Sequence, residues 1–148
     1  MIHLRSPKEV EKIKSSCEIV RDTLFLLEEL IEVGIPTIEL DKKAEEFIRS
    51  KGAKPGFKGL YGFPATLCIS INDEVVHGMP SKRTLKDGDV VGIDCGSYLN
   101  GYYGDHAKTF KVGNVDSKTV KLLEVTNESL FKGIEQAVPG NKIGDISN

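Results

Sequence analysis

The sequence contains no tryptophan, only three cysteines and no long uninterrupted hydrophobic run. Cys17, Cys68 and Cys95 are widely spaced and form no Cys-x-x-Cys pair, which favours reduced, buried thiols in a cytoplasmic protein. The longest apolar run, 23–31, is interrupted by Glu28 and Glu29 and is far shorter than the roughly 20 residues that a membrane-spanning helix needs. We therefore expect a soluble globular protein.

Charge of one sign is not in excess either. Twenty basic residues against twenty-two acidic ones leave a formal net charge of −2. A balanced chain has no long-range attraction for nucleic acid or for an anionic membrane, so we expect direct binding to neither. The densest basic run, 81–86, is interpreted as a solvated turn. The length of 148 residues is sufficient for one domain with a sizeable core.

Three segments have the signature of helices. Ser6 and Glu9 form a predicted capping box around Pro7, and a long helix follows it until Gly34. Its predicted inward residues are Val10, Ile13, Cys17, Val20, Leu24, Leu27 and Ile31. Thr37 is predicted to cap a second helix that ends at Gly52. Its predicted inward residues are Leu40, Ala44, Phe47 and Ile48.

A third helix is predicted to begin with either Asp116 or Ser117 as its cap and to end at Pro139-Gly140. Its predicted inward residues are Val120, Leu123, Leu130, Ile134 and Ala137. The residues from Asn141 to Asn148 are typical of the cap and first turn of another helix. Because domains seldom end there, we expect residues 1–148 to be the front part of a longer protein.

The middle of the chain changes to strand patterns. Residues 52–64 are too rich in glycine and proline for regular structure and predict a loop. Residues 65–72 alternate between apolar and small polar side chains, which predicts a strand with one face for the helices and one polar face. Further strands are predicted over 88–96 and 102–113. The fold class is therefore α+β, an antiparallel sheet with helices packed on one face.

Asn100-Gly101 is a strong signal for a two-residue hairpin turn, because both central residues need positive φ. Such a turn pairs Leu99 with Tyr102. Asp94 and Asp105 then become diagonal neighbours on one face, with Cβ atoms about 7 Å apart. Two carboxylates held by rigid strands could bind divalent cations between them.

Simpler interpretations of these residues remain open on the pattern alone. Strand carboxylates are usually solvated, and with twenty-two acidic residues a pair at this spacing can arise by chance. His77 could likewise be an ordinary turn histidine. The combination of a polar strand face, His77 at its end and two converging aspartates favours a site.

The segment "CISINDEVVHGMP", followed by "LKDGDVVGIDCGSYLNGYYGDHAKTF", resembles type I methionine aminopeptidases of the pita-bread (creatinase/aminopeptidase) metallopeptidase superfamily. The resemblance runs from the first helix to the last residue and matches the N-terminal half of that fold. It implies removal of the initiator methionine from peptides and nascent proteins whose second residue is small. Two divalent metal ions (Co, Mn, Fe or Zn) would activate a water molecule that attacks the peptide carbonyl.

The resemblance also implies roles for individual residues. Asp94 and Asp105 would be metal ligands, with Asp105 bridging the two ions, and His77 would hydrogen-bond the substrate near the scissile amide. Phe63 and Cys68, together with Tyr61, would line the pocket for the methionine side chain. Phe57 and Leu60, in the loop before Cys68, depart from the residues that are common in the family.

The family takes one further histidine and two glutamates from a second half, which does not occur in 148 residues. We therefore expect weak or absent metal binding and no activity from this chain alone. Two alternatives stay open: a non-catalytic pita-bread protein that binds peptides or the ribosome, and a half-domain without a site. An uncovered polar sheet face is also expected to favour self-association.

Overall fold

The computed structural model describes residues 3–147. Its elements are α1 (Pro7–Leu30), α2 (Thr37–Ser50), β1 (Lys54–Pro55), β2 (Leu67–Ile71), β3 (Val90–Leu99), β4 (Tyr102–Lys111), α3 (Ser117–Gln136) and α4 (Ile143–Ser147). A single 3₁₀ turn at Leu60–Gly62 lies between β1 and β2. Two compact units are formed, one by the residues up to Asn114 and one by the residues from Val115 onward. Within residues 3–147, no helix is both long and apolar enough to span a membrane.

All strand pairs of the sheet are antiparallel, as predicted, and β3 is the central strand. β4 pairs with it along its whole length. β1 and β2 share its other edge, with Leu67 opposite Cys95 and Lys54 opposite Tyr98. The short strand β1 corrects the prediction of a continuous loop over 52–64. It forms because the backbone there pairs with the end of β3 beyond β2.

The helices of the first unit pack on one face of the sheet. α1 crosses β3 and β4 and contacts α2, and α2 contacts β1 and β2. The predicted capping box is present, since the Glu9 amide donates to Ser6 Oγ at 3.4 Å and the Ser6 amide donates to Glu9 Oε2 at 2.8 Å. Leu27 has no exposed surface, and burying such a side chain contributes about 1.5–3 kcal/mol.

Val20, Leu24 and Leu27 of α1 are buried as predicted, but the first half of the helix differs from the prediction. Cys17 is exposed and Val10 is 48% exposed, whereas Ser16 has no exposed surface. The physical reason is a close helix–strand crossing. Ser16 Oγ donates to the Tyr102 carbonyl at 2.9 Å, and Ser97 Oγ donates to the Ser16 carbonyl at 2.9 Å. A small hydroxyl side chain therefore occupies the contact that the apolar pattern assigned to Cys17.

The start of α2 also differs from the prediction. Its N-cap is Pro36, and Thr37 is the first helical residue. The Thr37 hydroxyl instead joins the helix to the 81–85 segment, because it donates to the Ser81 carbonyl at 3.1 Å and accepts from the Ser81 amide at 2.9 Å. The other inward residues of α2, such as Leu40, Ala44 and Ile48, are buried as predicted.

In the second unit, Asp116 is the N-cap of α3 and accepts from the amides of Lys118 and Thr119. The sequence had left Asp116 and Ser117 open as the cap, and the structure selects Asp116.

The predicted inward face of α3 is wrong, because none of its residues is buried and Leu130 and Ile134 are 49% and 56% exposed. Within this unit α3 packs against α4, which is five residues long and can cover little surface. The helical turn predicted near the end of the chain is present as α4, while Asn148 lies outside the described residues.

Candidate active site

The β3–β4 hairpin brings Asp94 and Asp105 to the same face of the sheet. Asn100 and Gly101 both have positive φ, 52° and 90°, as the predicted turn requires. The register is the predicted one, with Asp94 opposite Ala107 and Gly96 opposite Asp105. The two aspartates are therefore diagonal neighbours, and both line one cleft.

The electrostatics of this pair are unfavourable for two free carboxylates. Burial raises the pKa of Asp94, the nearby Asp105 carboxyl group raises it further, and the proximity of His77 lowers it to a smaller extent. Oδ1 of Asp94 is buried and has no hydrogen-bond partner among residues 3–147. A buried carboxylate oxygen without a partner costs free energy unless a cation or a donor satisfies it.

These observations fit a divalent cation. Two oxygen ligands on rigid neighbouring strands, one of them with an unsatisfied buried atom, suit a hard metal ion. A cation there would satisfy Asp94 Oδ1 and relieve the repulsion between the carboxylates. Within the described part of the chain, however, no cluster of three or more His, Cys, Asp or Glu side chains is present. The chain thus contributes two donors to this position.

His77 is held at the edge of the same cleft by strained backbone. Its φ is 60°, a left-handed conformation that is costly for a residue with a side chain. The next residue joins the strand: the Gly78 carbonyl accepts from the Ile69 amide at 2.8 Å and its amide donates to Ser70 Oγ at 3.3 Å. A methyl group at Gly78 would lie 2.1 Å from the Ile69 carbonyl oxygen, so only glycine allows this approach.

The cleft has a volume of about 620 Å³ and combines apolar walls with a few polar groups. It brings together every residue that the sequence analysis proposed for the site. The lining residues are Phe57, Leu60, Tyr61, Gly62, Phe63, Pro64, Cys68, His77, Met79, Asp94 and Asp105. Apolar lining with few convergent polar groups is typical of small-ligand sites.

The individual lining residues differ in exposure. The Tyr61 side chain is fully exposed and lies at the mouth of the cleft, on a backbone with φ of 49°. Cys68 is buried, and burial together with the charges of Asp94 and Asp105 raises its thiol pKa to about 11. Such a thiol stays protonated at neutral pH, so Cys68 can serve as an apolar wall but is a poor nucleophile.

Sequence analysis did not assign Phe57, Leu60 and Met79 to the cleft. Phe57 and Leu60 lie in the glycine-rich loop that begins after β1, and Met79 follows Gly78. The sequence does show isolated apolar residues among the glycines of a predicted loop, and no helix or strand pattern places these residues in a core. Such residues often line a cleft.

Two carboxylates of α2 hold this loop, and sequence analysis missed both. Oδ1 of Asp41 accepts from the amides of Thr66 and Leu67 at 2.9 and 2.8 Å. Glu45 binds the Lys58 ammonium at 2.6 Å, which lowers the Glu45 pKa. The start and the end of the cleft loop are therefore tied to the same helix.

Comparison with known proteins places this arrangement in a family. Residues 11–148 match the profile of metallopeptidase family M24. The methionine aminopeptidase of Clostridium perfringens is 53% identical over 148 residues, which are 100% of this chain and 59% of that protein. The crystal structure of the methionine aminopeptidase from Rickettsia prowazekii superposes with a TM-score of 0.96 at 36% identity, over 99% of this chain and 59% of that one. The prolidase of Pyrococcus furiosus gives 0.85 at 27% identity, over 97% and 41%.

The chain belongs to metallopeptidase family M24. Its fold is about half of the pita-bread fold of the methionine aminopeptidases and prolidases, which confirms the predicted fold class. Membership of a metallopeptidase family implies a divalent metal cofactor. The chain spans 59% of the length of the Clostridium perfringens relative that it matches.

Proposed function

We propose that the chain is the N-terminal half, residues 1–148, of a methionine aminopeptidase catalytic domain. The whole enzyme would remove the initiator methionine from peptides and nascent proteins with a small second residue in the cytoplasm. The observation that supports this most strongly is the convergence of Asp94, Asp105 and His77 in one apolar cleft. The high identity to proteins named methionine aminopeptidase supports the choice of substrate.

In this proposal Asp94 and Asp105 would hold two divalent ions, which could be Co, Mn, Fe or Zn. When bound, such ions lower the pKa of a water molecule and polarise the substrate carbonyl. His77 donates a hydrogen bond to the substrate beside the scissile amide, where its strained backbone holds the ring at the cleft edge. Phe63 and Cys68 provide the apolar and polarisable wall that an unbranched thioether favours, and Tyr61 contacts the peptide at the mouth.

The number of metal-binding side chains at the site determines what metal affinity and activity we expect from this chain alone. Two carboxylates give weak metal binding, because tight sites for these ions use more protein ligands. We propose that the remaining donors, one histidine and two glutamates, come from the part of the relatives that this chain does not match. The 148-residue chain is then inactive by itself.

The test is hydrolysis of the peptide Met-Ala-Ser in the presence of Co(II) or Mn(II). The 148-residue chain should give no turnover. The full product of the gene that encodes it should release methionine, and Asp105→Asn should abolish this. Asp73→Asn, the same substitution at an acidic residue outside the cleft lining, should preserve the activity. Turnover by the purified 148-residue chain would contradict the proposed division of the site.

A non-catalytic relative that binds peptides or the ribosome is the alternative. The observation that favours it is that residues 3–147 contain no group of three or more His, Cys, Asp or Glu side chains that could hold a metal ion. Reading the gene downstream of Asn148 separates the two. A histidine and two glutamates in that segment would indicate an enzyme, and their absence would indicate a binding protein.

Self-association of the chain through the cleft face is also part of the proposal, and light scattering after size exclusion would measure it.

A further inference from the structure

The ring of Phe57 lies directly on the backbone of Gly96. A methyl group at Gly96 would be 2.6 Å from Cε1 of Phe57 and 3.0 Å from both Cδ1 and Cζ. Real Cβ atoms do not approach ring carbons that closely. The space that a side chain at position 96 would fill is therefore occupied by one edge of the Phe57 ring.

The backbone beside the ring is fixed on both sides. The Gly56 amide donates to the Gly96 carbonyl at 2.7 Å, and a methyl group at Gly56 would lie 2.8 Å from the Gly96 carbonyl carbon. On the other side, the Leu60 amide donates to the Phe57 carbonyl at 2.9 Å. Because the loop cannot retreat easily from β3, a side chain at Gly96 would displace the ring rather than the backbone.

This contact lies next to the carboxylate pair. Gly96 is opposite Asp105 in the strand register and two residues from Asp94, on the same face of the sheet. Phe57 lines the cleft together with both aspartates and Cys68. Because Phe57 lines the cleft, a movement of its ring off Gly96 would change the shape of the cleft.

We propose that Gly96 and Phe57 act as a pair that sets the size of the side-chain cleft beside Asp94 and Asp105. Phe57 is the wall that limits the first side chain of the peptide, and Gly96 is a positioning residue that acts through Phe57. The inference rests on the proposed function for the identity of that side chain. The geometric part concerns the cleft alone and can be tested without any turnover.

The first experiment measures access to the cleft through the Cys68 thiol in a Cys17→Ser background. Cys95 has no exposed surface, so Cys68 is the thiol under test. Labelling rates are compared for methyl methanethiosulfonate and the larger benzyl methanethiosulfonate at one pH. The ratio of the two rates removes any change in the thiolate fraction, because both reagents depend on it equally.

Gly96→Ala should lower the benzyl-to-methyl ratio at least several-fold, and Phe57→Ala should raise it. The double variant Gly96→Ala/Phe57→Ala should match Phe57→Ala, since no ring remains to be displaced. Gly92→Ala is the control, because its new methyl group would have no neighbour nearer than 3.8 Å. An unchanged ratio in Phe57→Ala, or an equal effect of Gly96→Ala with and without the ring, would overturn the pairing. If Gly96→Ala does not fold, Phe57→Ala still tests the wall itself, and an unchanged ratio in that variant overturns the proposal.

The second experiment uses the full gene product and compares Met-Ala-Ser with Phe-Ala-Ser. Phe57→Ala should shift kcat/KM toward the bulkier first residue, mainly through KM. A changed labelling ratio without hydrolysis of either peptide would leave the pairing intact and overturn the proposed function. Hydrolysis with an unchanged preference would overturn the role of Phe57 as the limiting wall.

Discussion

Asp94 and Asp105 lie diagonally across neighbouring strands, and their carboxyl groups face one cleft. Among the described residues, nothing donates to Oδ1 of Asp94, and burial together with Asp105 raises the Asp94 pKa. Purely structural carboxylates are usually solvated or hydrogen-bonded. Such an arrangement costs free energy unless a cation or a donor satisfies it, which supports the proposal that the pair is functional.

Asp41 should be important for stability although it is outside the cleft. Asp41→Ala leaves two buried amides, those of Thr66 and Leu67, without an acceptor, and each such loss costs about 1–3 kcal/mol. We expect the free energy of unfolding to fall by about 2–4 kcal/mol in a urea titration. Asp41→Asn is the matched control, because both amides bind the same oxygen atom and an amide oxygen can replace it. A loss in Asp41→Asn as large as that in Asp41→Ala would contradict this explanation.

Wild type and Asp41→Asn should also differ in how their stability depends on pH. Burial raises the pKa of Asp41 above its usual 3.8, so the fold favours the protonated form. The stability contributed by that preference is present at low pH and is lost as the pH rises through the raised pKa. Wild type should therefore lose stability relative to Asp41→Asn as the pH rises above about 4. A difference that is independent of pH, or that changes in the opposite direction, would show that the carboxylate is well accommodated.

Glu9 should show the opposite pH dependence. Its hydrogen bonds with the Ser6 amide, the Ser6 hydroxyl and the Tyr102 hydroxyl lower its pKa from 4.5 to about 2. The stabilisation is complete above the unfolded pKa of 4.5 and is lost as the pH falls toward 2. The advantage of wild type over Glu9→Gln in urea midpoint should shrink over that interval. A constant advantage would mean that hydrogen bonding without charge accounts for the cap.

The crossing of α1 over the hairpin depends on Gly104. A methyl group there would lie 2.5 Å from the Ser16 carbonyl carbon, and overpacking of this kind typically costs about 1–3 kcal/mol. Gly104→Ala should lower the melting temperature clearly. Gly92→Ala, whose new methyl group would have no neighbour nearer than 3.8 Å, should leave it unchanged or slightly higher. Equal effects of the two substitutions would mean that the helix can shift at little cost.

The left-handed backbone of His77 is predicted to lower the stability of the fold, while it places the side chain at the cleft. Its left-handed backbone costs a non-glycine residue about 1–2 kcal/mol, so His77→Gly should be about 1 kcal/mol more stable than His77→Ala. At His106, in the regular strand β4, the order should reverse, because glycine weakens a strand. Thermal unfolding of the four variants tests both statements. The same order at both positions would remove the evidence for strain at His77.

The hairpin, the register and the two aspartates could be predicted because local rules determine them. Asn100-Gly101 specifies the turn, and a turn of known length fixes every pair along β3 and β4. The prediction that one sheet face carries Cys68 and both aspartates follows from that register and from side-chain alternation.

Other features depended on contacts between distant segments. Ser16 replaces Cys17 at the helix–strand crossing because Gly104, eighty-eight positions later, has no side chain. The anchoring of residues 66 and 67 by Asp41 and the position of Phe57 on Gly96 arise in the same way. The hydrophobic periodicity of one segment does not show whether a distant segment has a side chain at the point of contact. The prediction of an inward face on α3 was wrong for a related reason. An apolar stripe on a helix does not show which surface will cover it.

The central claim is that Asp94 and Asp105 bind a divalent cation together, and paramagnetic broadening of amide NMR signals by Mn(II) tests it most directly. The method detects weak binding and reports its position. We predict that broadening on the 148-residue chain centres on Cys68, Asp94, Gly96 and Asp105, and that Asp94→Asn/Asp105→Asn abolishes it. Broadening centred elsewhere, or equal broadening in the double variant, would contradict the account.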